Sequence, residues 1–349
     1  MGGSAVMAQS GRDNMKKAIE FGSPAYLPVH LEVHFPWLQG TDERKLQRIR
    51  ELAATLPQDL YQADPVMVKT PPVIEDGASR WTDEWGTEWI MDGRGMKPRN
   101  APLQAGYDAL GAYAFPDPYA PGRFGAIDGD LGKRGGRYVL GWVWFTLFER
   151  MWMLRGFDNM LMDPYLQPKE FEALRDRMVE FDLAVTDQWL DRGADGIFYS
   201  DDWGTQRGLL IAPDDWRRFY KPSYARLFER VRTRGAHVWM HLCGNIAGIL
   251  PDLIDIGLNV LNPVQPQAMD VEWLAREFGG EICFYGGVDV QGTMVRGSTA
   301  EVKAEVRRLV ELFGRFDGGY IGGTSHTIMP ETPLDNIIAL YEAFAEYSI

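Results

Sequence analysis

The sequence is poor in several things, and each shortage excludes a class of protein. It has two cysteines, Cys243 and Cys283, in 349 residues. That is too few for a disulfide scaffold and fits a reducing compartment. Basic residues are outnumbered by acidic ones, giving a net charge of −13 with no basic stripe. Nucleic acid is therefore not an expected partner. The longest strongly apolar run, YVLGWVWFTLF at 138–148, stops at Glu149. A membrane span needs roughly 20 residues, so none is expected. The N-terminal MGGSAVMAQSGRDNMKK has no apolar core of signal-peptide length, and a cytoplasmic location is the expectation. No phosphate-cradling glycine motif follows any predicted strand, which argues against nucleotide and dinucleotide binders.

What remains is a globular composition, 45% hydrophobic and 24% charged. The pattern alternates. Strands are predicted at 26–34, near 83–92, at 137–146, and from 196, 237, 260, 282 and 319, with helical spacing between most of the later ones. Pro168 suits the first turn of a helix running to Arg192. Ser298 with Glu301 three residues on has capping-box spacing. Eight strands alternating with helices predict α/β architecture, a single closed (β/α)8 TIM barrel over residues 1–349. Residues 1–25 would add an N-terminal helix, and 57–136 would form irregular loops over the mouth.

In such a barrel, chemistry gathers where strands end. Four of the five histidines fall at predicted strand exits or on an inward face. HVWMHLCGN (237–245) is central. Its period of two places His241 and Cys243 on one face, roughly 6.5–7 Å apart at Cα. Imidazole and thiolate can converge on one ion from there, and His326 at a later exit is the best third ligand for a Zn2+ site. The alternative is a hydrogen-bonded mouth histidine beside a small buried thiol.

His30, Glu32 and His34 share one face of the first strand, either as a polar, substrate-positioning rim or, for Glu32 and His34, as partners of His326. Asp201 and Asp202 close the strand from 196, and one of them is expected to be catalytic. Alternation favours Asp202, while either could instead cap the next element. Asn262, Gln265 and Asp289 are candidate substrate contacts. Asp289 reads equally as a loop brace.

HLCGN followed by ILPDLIDIGLNVLNPVQPQAMD, FYGGVD and YIGGTSHTIMPETPLDN strongly resembles the uroporphyrinogen decarboxylase superfamily, with dense coverage from about 137 to 346. The resemblance implies the barrel and two possible reactions. Porphyrin-making members carry an arginine-rich motif on the first strand's loop. Here VHLEVHFPWLQG has no arginine, although His326 matches their late histidine, with Thr327 in place of a glycine. The zinc-dependent methyltransferase branch, which works with corrinoid proteins and corrinoid-borne methyl groups, carries a His-x-Cys pair and a late cysteine. His241 and Cys243 match the pair, and His326 stands where that cysteine would be. The resemblance thus implies a methyltransferase with a His-Cys-His zinc site, a corrinoid protein as partner, and catalytic roles for Asp202, Asp201 or His326. The alternative is a metal-free decarboxylase.

Overall fold

A computed structural model describes residues 10–33, 38, 42–65, 70–92 and 95–348. Seven strands form one parallel sheet: β1 (Leu60–Ala63), β6 (Tyr138–Val143), β7 (Gly196–Ser200), β8 (His237–His241), β9 (Val260–Val264), β10 (Cys283–Val288) and β11 (Tyr320–Thr324), adjacent in that order. Residues 27–33 lie along the outer edge of β11, joined by the isolated bridges Val29–Gly322 and Val33–Ile328. The His30 N–H donates to the Gly322 carbonyl at 2.9 Å. This makes an eighth, loosely paired strand in a TIM-barrel-like α/β fold. The expected first strand is thus an extended segment. His34 lies outside the described residues.

The second barrel strand corrects the sequence reading. It is β1, whose Leu60–Ala63 pairs in register with Tyr138–Gly141. The 83–92 region belongs instead to a separate antiparallel sheet of β2 (Val73–Glu75), β3 (Ala78–Thr82), β4 (Glu88–Asp92) and β5 (Gly95–Pro98). Its four short strands pair antiparallel in chain order, β2 with β3, β3 with β4 and β4 with β5. The four-residue β1 is too brief to declare itself by alternation.

Inside the barrel, Tyr138, Leu140, Trp142, Phe198, Trp239, Val260, Cys283, Tyr285 and Ile321 form one buried cluster, plugged from below by Met15 and Ile19 of helix Gly11–Ile19. Phe198 and Trp239 are fully buried. Burial of each contributes about 1.5–3 kcal/mol. Register then sets what stands above this plug. Ser200 pairs with His241, and His241 with Asn262, so the three ring the barrel at one level. The helices fit their signals: Pro168–Asp191 begins on its proline, and Ser298 and Glu301 complete a capping box for Thr299–Phe313. Among the described residues, no helix is long and apolar enough to cross a membrane.

Candidate metal centre

β8 ends at His241, and its period-2 facing continues for two residues. His241 and Cys243 therefore face the same opening, with Sγ 3.3 Å from Nε2. β11 delivers His326 to the same place, its ring centroid 5.6 Å from that of His241. One ligand atom from each of the three lies within 4.8 Å of the others. A tetrahedral zinc with bonds of about 2.1 Å to nitrogen and 2.3 Å to sulfur sets its ligands roughly 3.5 Å apart. The His241–Cys243 pair already has that spacing, so the donor set fits zinc after a small inward movement of His326.

The pair is held by its neighbours. Asn262 Oδ1 accepts from His241 Nδ1 at 2.7 Å, which leaves the Nε2 lone pair facing the sulfur. Gln265 Oε1 accepts the Gly244 N–H at 2.6 Å, and its Nε2 donates to Cys243 Sγ at 3.6 Å. Asp202 Oδ1 accepts the Cys243 N–H at 2.8 Å and lies 4.0 Å from His241 Nε2. The loops after β7 and β8 touch backbone to backbone. Gly244 has φ +83°, and a Cβ there would sit 2.4 Å from the carbonyl carbon of Gly204. His326 is held differently. Its Nδ1 accepts the Thr327 N–H at 2.8 Å, and it is exposed. A neutral ring so bonded carries its proton on Nε2, so His326 has to exchange that proton before it can hold an ion through that nitrogen.

Burial, then the charges of Asp202 and Glu149, push the Cys243 thiol well above its usual range. Although His326 keeps contact with solvent, partial desolvation, followed by the neighbouring His241, lowers its pKa and favours its neutral form. Both shifts describe a site in which an ion must displace a proton from sulfur and meets an uncharged imidazole.

The other candidates separate into two groups. Asp202 faces the centre. Asp201 turns away from it and is fully buried. Its oxygens accept the N–H groups of Phe148 (2.9 Å) and Glu149 (2.7 Å) and the Tyr224 hydroxyl, anchoring the first turn of helix Leu147–Arg155. Asn262 and Gln265 hold the His241–Cys243 pair through their amide oxygens, one on the His241 ring and one on the Gly244 N–H. Asp289 braces the loop after β10, with Gln267 Nε2 at 2.6 Å and the Gln291 N–H at 2.8 Å on its two oxygens. Glu32 reaches the Thr327 hydroxyl at 3.1 Å, beside His326. His30 packs against Tyr285, ring centroids 6.1 Å apart, and burial lowers its pKa.

Two acids join this set that the sequence did not single out. Glu149 is buried, accepts the Ser200 hydroxyl at 3.3 Å, and has its pKa raised by burial and then by Asp202 and Asp201. Asp64 follows β1 and accepts from Trp144 Nε1 at 2.9 Å. Its pKa is raised by desolvation, with a further push from Glu32. Each stands directly after a strand or in the first turn beyond one, which was the available signal. Among the described residues, no lysine or arginine lies within 4.0 Å of Glu32, Asp64, Glu149 or Asp202.

The sequence profile described as uroporphyrinogen decarboxylase (URO-D) matches residues 145–347. The chain belongs to the uroporphyrinogen decarboxylase family. Within the family it is similar to the methylcobamide:CoM methyltransferase MtaA of Methanosarcina barkeri, 29% identical over 177 residues, which are 51% of this chain and 49% of that protein. It is equally similar to the uroporphyrinogen decarboxylase of Thermus thermophilus, 29% identical over 182 residues, 50% of this chain and 49% of that one. The chain thus spans about half the length of the curated relatives it matches. A methyltransferase from Methanosarcina mazei shares the fold, with a TM-score of 0.71 at 18% identity over 97% of this chain and 99% of that one. The relatives in this family are enzymes of two kinds.

Proposed function

We propose that this chain is a zinc-dependent methyltransferase of the uroporphyrinogen decarboxylase family, moving a methyl group between a corrinoid or small methyl donor and a thiol or similar acceptor. The observation that supports it most is the convergence of His241, Cys243 and His326 within 4.8 Å. Zinc bound to these residues would supply Lewis acidity and lower the pKa of a coordinated thiol or hydroxyl. The chain's own groups prepare the place. Asn262 holds His241 in the tautomer whose Nε2 is available. Gln265 and Asp202 fix the backbone carrying the sulfur. Asp202 Oδ2 takes the acceptor's proton, and the buried Glu149 carboxyl beside it holds a proton that can be returned. The chain is read as one domain over residues 1–349, with a corrinoid protein docking at the mouth.

The second reading is a metal-free decarboxylase, favoured by the equal identity to uroporphyrinogen decarboxylases. There Asp202 or Glu32 would stabilise a protonated pyrrole-like intermediate and His326 would contact substrate. A polycarboxylate would then meet Glu32, Asp64 and Asp202 with no cationic partner beside them among the described residues, which disfavours this reading.

Elemental analysis of the purified chain separates the two. We expect about one zinc per chain, falling by at least about tenfold in His241→Ala and in Cys243→Ala. A folded, zinc-free wild type that decarboxylates uroporphyrinogen would overturn the proposal.

A further inference from the structure

The two helices after β10, Thr293–Arg296 and Thr299–Phe313, border a groove of about 540 Å³ that none of the metal-binding residues lines. Residues three and four apart share one side of a helix, so Glu301, Ala304, Glu305 and Arg308 form one wall. Thr293 and Arg296 belong to the other. The short Ala304 side chain leaves the space between the charged ones open.

Two of the four charged side chains lining this groove already have partners. Glu301 accepts the Ser298 N–H at 2.7 Å and the Ser298 hydroxyl at 2.8 Å, completing the capping box. Arg308 donates to the Glu272 carboxylate. The other two do not match up. Arg296 is exposed and has no carboxylate side chain within 4.0 Å among the described residues, and no aspartate or glutamate lies outside that set. Glu305 is half-buried, and its carboxyl meets the Thr293 hydroxyl and the Asp289 N–H. Its Oε2 is enclosed and receives no hydrogen bond. Burial is the main influence on this group and raises its pKa, so its donors do not balance the charge of the carboxylate. One base and one acid thus share the groove, and neither satisfies the other.

We propose that this groove binds a small zwitterion of the amino-acid class, its carboxylate on Arg296 and its ammonium group on Glu305. The inference is independent of the methyltransferase reading. A guanidinium presents a fork of N–H donors that matches a carboxylate. An ammonium supplies the charged donor that the Glu305 carboxyl lacks. The terminal torsion of a glutamate is broad, so the carboxyl can turn its enclosed oxygen toward a ligand. A simple anion would meet Arg296 but face Glu305, and a simple cation would do the reverse. Only a molecule carrying both charges matches both residues and adds no net charge to the groove. The volume lies within the range of small-molecule sites, about 300–1,000 Å³.

The test is calorimetry on the full chain near neutral pH and at physiological ionic strength. The probes are glycine, β-alanine and γ-aminobutyrate, which set their two charges progressively further apart. Saturable binding of at least one is expected, with the alkanoate and the alkylammonium of matching length at least about tenfold weaker. Arg296→Gln and Glu305→Gln should each weaken it by at least about tenfold, and Ala304→Leu should block it by filling the groove. Arg296 and Ala304 are exposed and Glu305→Gln keeps the side chain's shape, so the variants should fold, which the unfolding midpoint verifies. Amino acids also chelate zinc, so the titration is repeated on Cys243→Ala, where binding should persist. The proposal is overturned if none of the three probes saturates or if a half-molecule binds as tightly as its zwitterion. It is also overturned if binding is unchanged in either charge variant. Loss of binding in Cys243→Ala would overturn it too, by placing the ligand at the metal centre.

Discussion

Replacing Asn262 with leucine tests the centre through a residue that is not itself a ligand. In the structure, Asn262 Oδ1 lies 2.7 Å from His241 Nδ1, and it is the partner that assigns the ring's proton to that nitrogen. Leucine has similar bulk and no acceptor. The Nδ1–H is then unpaired in a half-enclosed site, and the ring can shift its proton to Nε2, where metal has to bind. Loss of such an outer partner lowers metal affinity by about 10–100-fold. That corresponds to about 1.4–2.7 kcal/mol. The assay is a zinc titration against a competing chelating dye at fixed pH, with urea unfolding of the metal-free protein as the stability control. Asn262→Asp supplies the reference in the other direction, since a carboxylate partner makes the imidazole a stronger donor and should preserve or tighten binding. An Asn262→Leu protein that folds normally and binds zinc as tightly as wild type would refute the reasoning. His241 would then not bind through Nε2, or not at all.

Asp201→Ala should destabilise the fold by about 2–6 kcal/mol, because the Phe148 N–H and the Tyr224 hydroxyl lose their buried acceptor and the Glu149 N–H keeps only the Thr146 carbonyl. Urea unfolding checks it, and wild-type stability would contradict an anchoring role. Gly244→Ala should abolish tight zinc binding. Its φ of +83° and the Gly204 backbone 2.4 Å from the added Cβ force the loop carrying Cys243 to move. The positive φ alone costs about 1–2 kcal/mol. Zinc affinity should rise with pH by about tenfold per unit between about pH 6 and 8, because the Cys243 thiol, pushed above its usual range, must lose a proton to bind. A flat profile over that interval would indicate that sulfur is not a ligand.

The residues explain what was legible in the sequence and what was not. His241 and Cys243 were readable because strand alternation is local, and two residues along one face need no knowledge of the fold. His326 needed the barrel as well, because only closure brings the exit of β11 opposite that of β8. Asp202 was favoured over Asp201 by the same alternation, but the anchoring task of Asp201 depends on a helix start more than 50 positions earlier. Glu149 was hidden by its context, an acid at the end of an apolar run that reads as a boundary until the fold turns it toward Ser200. Asn262 and Gln265 were found for their chemistry, but their bonds to the His241 ring and the Gly244 N–H were not legible, since those depend on how neighbouring strands register. The antiparallel sheet was illegible as such. Short edge-to-edge strands carry the same period as barrel strands, and what separates them is the direction of their neighbours.

The centre also ties together parts of the chain that are remote in sequence. His241 and Cys243 belong to β8 and its exit, His326 to that of β11, with β9 and β10 between them. Directly beyond His326, Thr327 reaches Glu32 at 3.1 Å, on the segment joined to β11 by isolated bridges. An ion gripping all three ligands would clamp the exits of β8 and β11 together, and stripping it with a chelator would loosen the β11 exit against which the opening residues of the fold are held, although none of them touches the metal.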